Sequence, residues 1–118
     1  KPNTDDIREA PSLYIINNLL AAGANIKVFD PEAMDNIQAY FKDEMGITYC
    51  NNAYDTLHHA DCVALLTEWS IFRTPDFNRM KELLNAPIIF DGRNLFDIES
   101  MEGKGFYYNS IGRDIIYS

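Results

Sequence analysis

The chain has 118 residues, enough for one domain with a buried core, and its 47% hydrophobic and 13% aromatic content marks it as globular rather than disordered. Ten lysines and arginines against 18 acids leave a formal charge of −8, which argues against a nucleic-acid surface or a binder of anionic membranes. A small anionic ligand stays open, because one or two placed arginines decide that locally.

The chain opens on the polar loop "KPNTDDIREAPS". Its acids Asp5 and Asp6 read as caps or dipole partners for a following helix rather than as a metal or acid/base pair. Arg8, taken by itself, reads as a salt-bridge partner for Asp5, Asp6 and Glu9. "SLYIINNLLAAGAN" places Leu13, Ile16, Leu19 and Leu20 on one helical stripe, with Pro11 in the first turn and Gly23 as a left-handed stop. "IKVFD" is a short strand, and Pro31 opens a second helix running to about Lys42. "ITYC" is an edge-like strand and "AYDTLHHA" a helix. "CVALLTE" is nearly all apolar, the pattern of a parallel strand covered on both faces. "DFNRMKELL" is helical, "PIIFDG" another buried strand and "GFYYNSIG" a last one; the tail "RDIIYS" has no assigned place.

Strand and helix alternate through short connections, so the fold class is α/β: a Rossmann-like, three-layer domain with a mainly parallel sheet. Residues 1–118 are expected to form a single domain. Units of this kind lead with a strand, whereas this chain leads with a loop and a helix. An apolar strand is therefore expected before Lys1, and the chain is expected to be the C-terminal piece of something larger. A sheet missing a strand would have open edges, so self-association into a homo-oligomer is expected too.

No apolar run has the length of a membrane span and no signal-peptide pattern is present. Cys50 and Cys62, in or beside apolar strand-like runs, read as buried free thiols in a reducing compartment, which predicts a cytoplasmic protein. His58 and His59 are adjacent and cannot easily share a metal from one helix. Trp69, beside Glu68, reads as a packing plug. No nucleophile–base pair, glycine-rich phosphate loop or zinc ligand set is present, so no catalytic residue and no metal site is assigned. A phospho-accepting receiver domain fits the alternation, and Thr67 stands where it needs a Thr or Ser, but it fails at two positions: Arg93 stands where a lysine is needed, and Cys50–Asn51 where an aspartate is needed.

Ligands of open α/β sheets gather at the carboxyl ends of the strands. Three stretches fall there: the opening loop, "TEWSIFRTPDF" and "DGRN". Arg93, just after Gly92, can fork onto a phosphate or carboxylate in a way lysine cannot, or pair with Asp91 or Asp97.

Taken together, "KPNTDDIREAPS", "VFDP", "LLTEW" and "FDGRN" stand in the order and approximate spacing of one family. The chain resembles the C-terminal, UDP-binding domain of the UDP-glucose 6-dehydrogenases, from Lys1 to about Arg113. The resemblance implies a parent enzyme that oxidises UDP-glucose to UDP-glucuronate in two NAD-dependent steps. NAD and the catalytic cysteine would belong to an N-terminal domain, so neither Cys50 nor Cys62 is a nucleophile. By position, Lys1 resembles a lysine that meets the UDP-sugar at the domain junction, and Arg8 an arginine that reaches toward the NAD pyrophosphate. Arg93 resembles an arginine that enters the UDP-glucose site. The implied partners are UDP-glucose and the NAD-binding and central regions of the parent chain. Dehydrogenases acting on GDP-mannose or UDP-N-acetylmannosamine share the architecture, but "TEWSIF" and "FDGRN" favour the UDP-glucose branch.

Overall fold

Leu13, Ile16 and Leu20 recur at helical spacing and turn one face of α1 (Pro11–Ala21) inward, in a computed structural model that describes residues 11–42, 44–67 and 70–117. The chain divides into two compact units, Lys1–Thr56 and Leu57–Ser118. In the first, α1 is followed by β1 (Ile26–Val28), α2 (Met34–Phe41) and β2 (Ile47–Tyr49), and α3 (Ala53–Leu57) runs to the boundary. β1 and β2 pair in parallel, with Ile26 opposite Ile47 and Val28 opposite Tyr49.

Leu13 and Ile16 are buried with Ala33, Ile37 and Phe41, and Leu20, Ile26 and Val28 pack against them. Burying each large side chain of this set contributes about 1.5–3 kcal/mol. Leu19, expected on the same stripe, is 43% exposed. At 3.6 residues per turn it sits about 100° from Leu20, off the inward arc. The helix stops as expected: Gly23 has φ +90°, its N–H bonds to the Leu20 carbonyl, and the Ala24 N–H bonds to that of Leu19. This is a Schellman ending, which needs the left-handed residue that glycine supplies without strain.

α2 begins three residues later than Pro31. Asp30 Oδ1 accepts the N–H groups of Glu32 and Ala33, each at 2.9 Å, and holds residues 31–33 as a turn that leads into the helix.

The second unit runs β3 (Val63–Leu65), a 3-10 turn at Ser70–Phe72, α4 (Phe77–Leu83), β4 (Ile88–Asp91), α5 (Ile98–Met101) and β5 (Tyr107–Ser110). The order is β3-β4-β5, all parallel, with Leu65, Asp91 and Ser110 at one level. Asp76 caps α4 by accepting the Arg79 N–H at 3.1 Å. The 3-10 turn and α5 carry no signal strong enough to be expected: each is a single turn of mixed residues.

β3 and β4 are not covered on both faces. Ile89 and Asp91 are buried while Phe90, between them, is 42% exposed, and Ala64 is exposed on β3. Side chains alternate along a strand, and the inward set faces a core that includes Met80, Leu84, Met101 and Phe106. Within that core the Phe77 ring meets Phe96 at 5.3 Å and Phe106 at 5.7 Å, both edge-on. The tail folds back on the unit: Ile116 forms an antiparallel bridge to Tyr108, and the Tyr117 ring packs 5.6 Å from Tyr107. Among the described residues no helix is long and apolar enough to cross a membrane.

Candidate functional site

Because β3, β4 and β5 are parallel, their carboxyl ends lie at one end of the second unit. There the "FDGRN" stretch leaves β4, and each of its polar residues has a distinct task. Asp91 is 1% exposed, at the last position of the strand. Its Oδ1 accepts the backbone N–H of Arg93 at 3.0 Å, and its Oδ2 those of Leu95 at 2.7 Å and Phe96 at 3.3 Å. Tyr108 Oη donates to the same Oδ2 at 2.6 Å, with the Phe96 carbonyl a longer alternative at 3.2 Å. A buried carboxyl costs several kcal/mol to desolvate unless its lone pairs are filled, and this one is met by four donors.

Gly92 passes close to β3: its N–H bonds to the Leu65 carbonyl at 2.8 Å, and a Cβ on it would stand 3.2 Å from that oxygen. A side chain there would require that oxygen to give by a few tenths of an ångström. Asn94, at φ 53°, mimics a strand neighbour. Its Nδ2 donates to the Ile111 carbonyl at 3.0 Å and its Oδ1 accepts the Ile111 N–H at 2.9 Å, clipping the loop after β4 to the loop after β5. Arg93, between these fixed neighbours, is exposed. Its backbone is held at the sheet end, where ligands of open α/β sheets gather.

The loop after β5 adds Arg113, half-buried, whose Nε donates to Ser110 Oγ at 2.9 Å and whose Nη2 donates to Tyr108 Oη at 2.8 Å. The Tyr108 hydroxyl is pushed up to about 12, chiefly by burial and then by Asp91, with Arg113 opposing. It stays a neutral donor across the physiological range, so it serves as a tie and not as an acid or base. The cluster is built to hold a loop and a cation in place.

Of the residues singled out in the sequence, the structure places Arg93 at the carboxyl end of β4 and Thr67, half-buried, just beyond β3. Lys1, Asp5, Asp6, Arg8, Glu68 and Trp69 lie outside the described residues. Asp91, considered as a salt-bridge partner for Arg93, accepts that residue's backbone N–H. His58 and His59 follow α3 and are both exposed. Both cysteines are free, but the expectation of burial fails for Cys62, which is exposed just before β3, while Cys50 is half-buried after β2. Among the described residues no group of three or more His, Cys, Asp or Glu could hold a metal ion.

Asn94, Tyr108 and Arg113 were missed as members of the site. Asn before a buried Leu-Phe pair is a weak turn signal, and nothing local marks Tyr108 as the partner of an acid 17 positions earlier.

Comparison with known proteins gives a consistent set of likenesses. A family model described as "UDP-glucose/GDP-mannose dehydrogenase family, UDP binding domain" matches residues 1–98. The chain is 38% identical over 116 residues to the UDP-glucose 6-dehydrogenase TuaD of Bacillus subtilis (strain 168), covering 98% of this chain and 25% of that protein. It is also 38% identical over 116 residues to the UDP-glucose 6-dehydrogenase of Pseudomonas aeruginosa, covering 96% of this chain and 26% of that protein. A crystal structure of NDP-N-acetyl-D-galactosaminuronic acid dehydrogenase from Methanosarcina mazei Go1 superposes with a TM-score of 0.76 at 29% identity, over 96% of this chain and 22% of that chain. The chain thus spans about a quarter of the length of the curated relatives it matches.

Proposed function

We propose, from the premise that this chain belongs to the UDP-glucose/GDP-mannose dehydrogenase family and carries its UDP-binding domain, that Arg93 is its contact to the phosphates of a UDP-sugar. The observation that carries this is the geometry of the β4 loop. An exposed arginine stands at the carboxyl end of a parallel strand, on a backbone fixed by a buried carboxyl. A guanidinium meets two phosphate oxygens with parallel, charge-assisted bonds, and a loop already ordered loses less entropy in making them. The net acidity of the chain then works for selectivity: anions are repelled from most of the surface and accepted where the cation is presented.

Lys1 and Arg8 complete this reading as a second contact to the sugar nucleotide and a contact toward the NAD pyrophosphate. The parent enzyme oxidises the C6 alcohol of UDP-glucose through the aldehyde level to the carboxylate of UDP-glucuronate. Both steps depend on NAD, and water supplies the added oxygen. The described residues do not fit a dinucleotide site: β1 leaves through Asp30-Pro31 and β2 through Cys50-Asn51, neither of them a glycine-rich turn into a helix. NAD is therefore assigned to the NAD-binding region of the parent, and so is the chemistry. This chain's part is to bind and orient the substrate, as a cytoplasmic protein working within a homo-oligomer.

The test is titration with UDP-glucose to millimolar concentration, followed by backbone amide shifts, on the unaltered chain and on Arg93→Ala. Shifts are expected at residues 91–96 and 110–113, with affinity reduced on the order of tenfold or more in the variant, the worth of a charge-assisted bond. Shifts elsewhere, or an unchanged affinity in Arg93→Ala, would remove Arg93 from the site.

A further inference from the structure

An arginine recognises a diphosphate well only if its own backbone stays still, and the groups that hold Arg93 are not its neighbours in sequence. Asp91 fixes the loop through three backbone N–H groups, but its Oδ2 is in turn held by Tyr108 Oη at 2.6 Å. That hydroxyl receives Arg113 Nη2 at 2.8 Å, and Arg113 is itself set by Ser110 Oγ, 2.9 Å from Nε. The guanidinium also lies 5.7 Å from the Tyr108 ring centre. A continuous chain of bonds therefore runs from the loop after β5 to the loop that presents Arg93.

Packing alone does not explain these residue types. Tyr108 is fully buried, and so is Phe106 on the same stretch, which fills its place without a hydroxyl. A phenol at 108 makes sense as a donor to Asp91, the shorter of its two acceptors, since a buried hydroxyl without a partner is costly. An arginine at 113 makes sense as a planar fork whose Nε and Nη2 meet two oxygens in a fixed geometry that a lysine's rotating ammonium does not supply.

We propose that Tyr108 and Arg113 are positioning residues for Arg93, so that substrate binding depends on residues beyond position 98, where the family match ends. This rests on the reading of Arg93 as the phosphate contact. Both residues act through Asp91 and the β4 loop.

The experiment is a double-mutant cycle on UDP binding, with Tyr108→Phe made in the unaltered chain and in Arg93→Ala. In the unaltered chain Tyr108→Phe is expected to weaken UDP about fivefold, the scale of one lost hydrogen bond, and to speed hydrogen exchange at the amides of Arg93, Leu95 and Phe96. In the Arg93→Ala background it is expected to change affinity less than twofold, because the cation it positions is gone. A merely destabilising change would weaken binding equally in both backgrounds, and added sucrose would restore it. Either result overturns the proposal. Should Tyr108→Phe fail to fold, Arg113→Gln takes its place in the same cycle, and Arg113→Lys is expected to rescue less than half of the loss. If UDP binds and depends on Arg93 but not on Tyr108 or Arg113, this inference falls alone. If the unaltered chain does not bind UDP, both readings fall together.

Discussion

At the end of β1 the chain reads Phe29-Asp30-Pro31, and at the end of β4 it reads Phe90-Asp91-Gly92. Both aspartates are buried, and both accept backbone N–H groups from the residues that follow. Asp30 draws on donors two and three positions ahead and so folds a turn that feeds α2 at once. Asp91 draws on donors two, four and five positions ahead and adds a phenol from β5, so its loop stays open and is tied to another strand. The residue after the acid belongs to this difference. Proline presets the turn after β1, whereas after β4 glycine lets the chain pass close to the Leu65 carbonyl, where a Cβ would stand 3.2 Å from the oxygen. The same two residues thus start a helix in one unit and hold a cation-bearing loop in the other.

The comparison breaks most directly by removing the acids. Asp91→Ala leaves three backbone N–H groups short of an acceptor and the Tyr108 hydroxyl with only its longer bond to the Phe96 carbonyl, and is expected to cost about 3 kcal/mol or more. Asp30→Ala, which loses a local cap, is expected to cost about 1 kcal/mol. Urea denaturation followed at amide signals of each unit measures both; equal costs would mean that the β5 tie adds nothing. Next in size is the residue after the acid. Gly92→Ala is expected to cost about 1–3 kcal/mol through its contact with the Leu65 carbonyl, against about 0.5 kcal/mol for Pro31→Ala.

Alkaline pH sharpens the contrast further. The Tyr108 hydroxyl has its folded value raised to about 12, above the ordinary 10.0 that it regains on unfolding. Between these values the folded state holds more protons than the unfolded one, so stability falls as pH rises. The contribution is complete below about pH 10 and lost through about pH 12. Denaturation midpoints collected over that window should fall less steeply in Tyr108→Phe than in the unaltered chain. An identical slope would mean that the phenol is not held as the geometry has it.

The smallest effect is on the thiols. Partial desolvation pushes Cys50 up, with Lys27 opposing and Asp55 adding, and Cys62, though exposed, is raised by partial desolvation of its thiol and by Asp61. Both should react with iodoacetamide at pH 8 more slowly than an unstructured cysteine peptide, because less thiolate is present. In Asp30→Ala the Cys50 rate is expected to rise while that of Cys62 stays, since Cys50 follows the strand that pairs with β1. A rise at Cys62 as well would mean that the two turns are not independent.

Much of this protein is decided locally, and that part was legible. Leu13, Ile16 and Leu20 specify one face of α1 by spacing alone, Gly23 its end, and the alternation of apolar runs with helical ones the α/β class. Arg93 could be singled out because an arginine just past a strand end is an unusual place to leave a charge, and it stands there. These features depend on contacts within a few residues, which the order of side chains dictates.

What remained illegible depends on which strands meet. Which residue would satisfy Asp91 could not be known before β5 was laid beside β4 in a register that brings Tyr108 within 2.6 Å of it. The same register sets Asn94 against Ile111 and places Arg113 on the phenol. The open face of β4 and the return of the tail onto Tyr108 are likewise consequences of pairing. The sequence by itself determined the elements, the strand-end acids and the exposed arginine two residues after the second of them. Tertiary structure alone decided that one of those acids would become a hub, because a hydrogen bond across 17 residues forms only after both strands are in place.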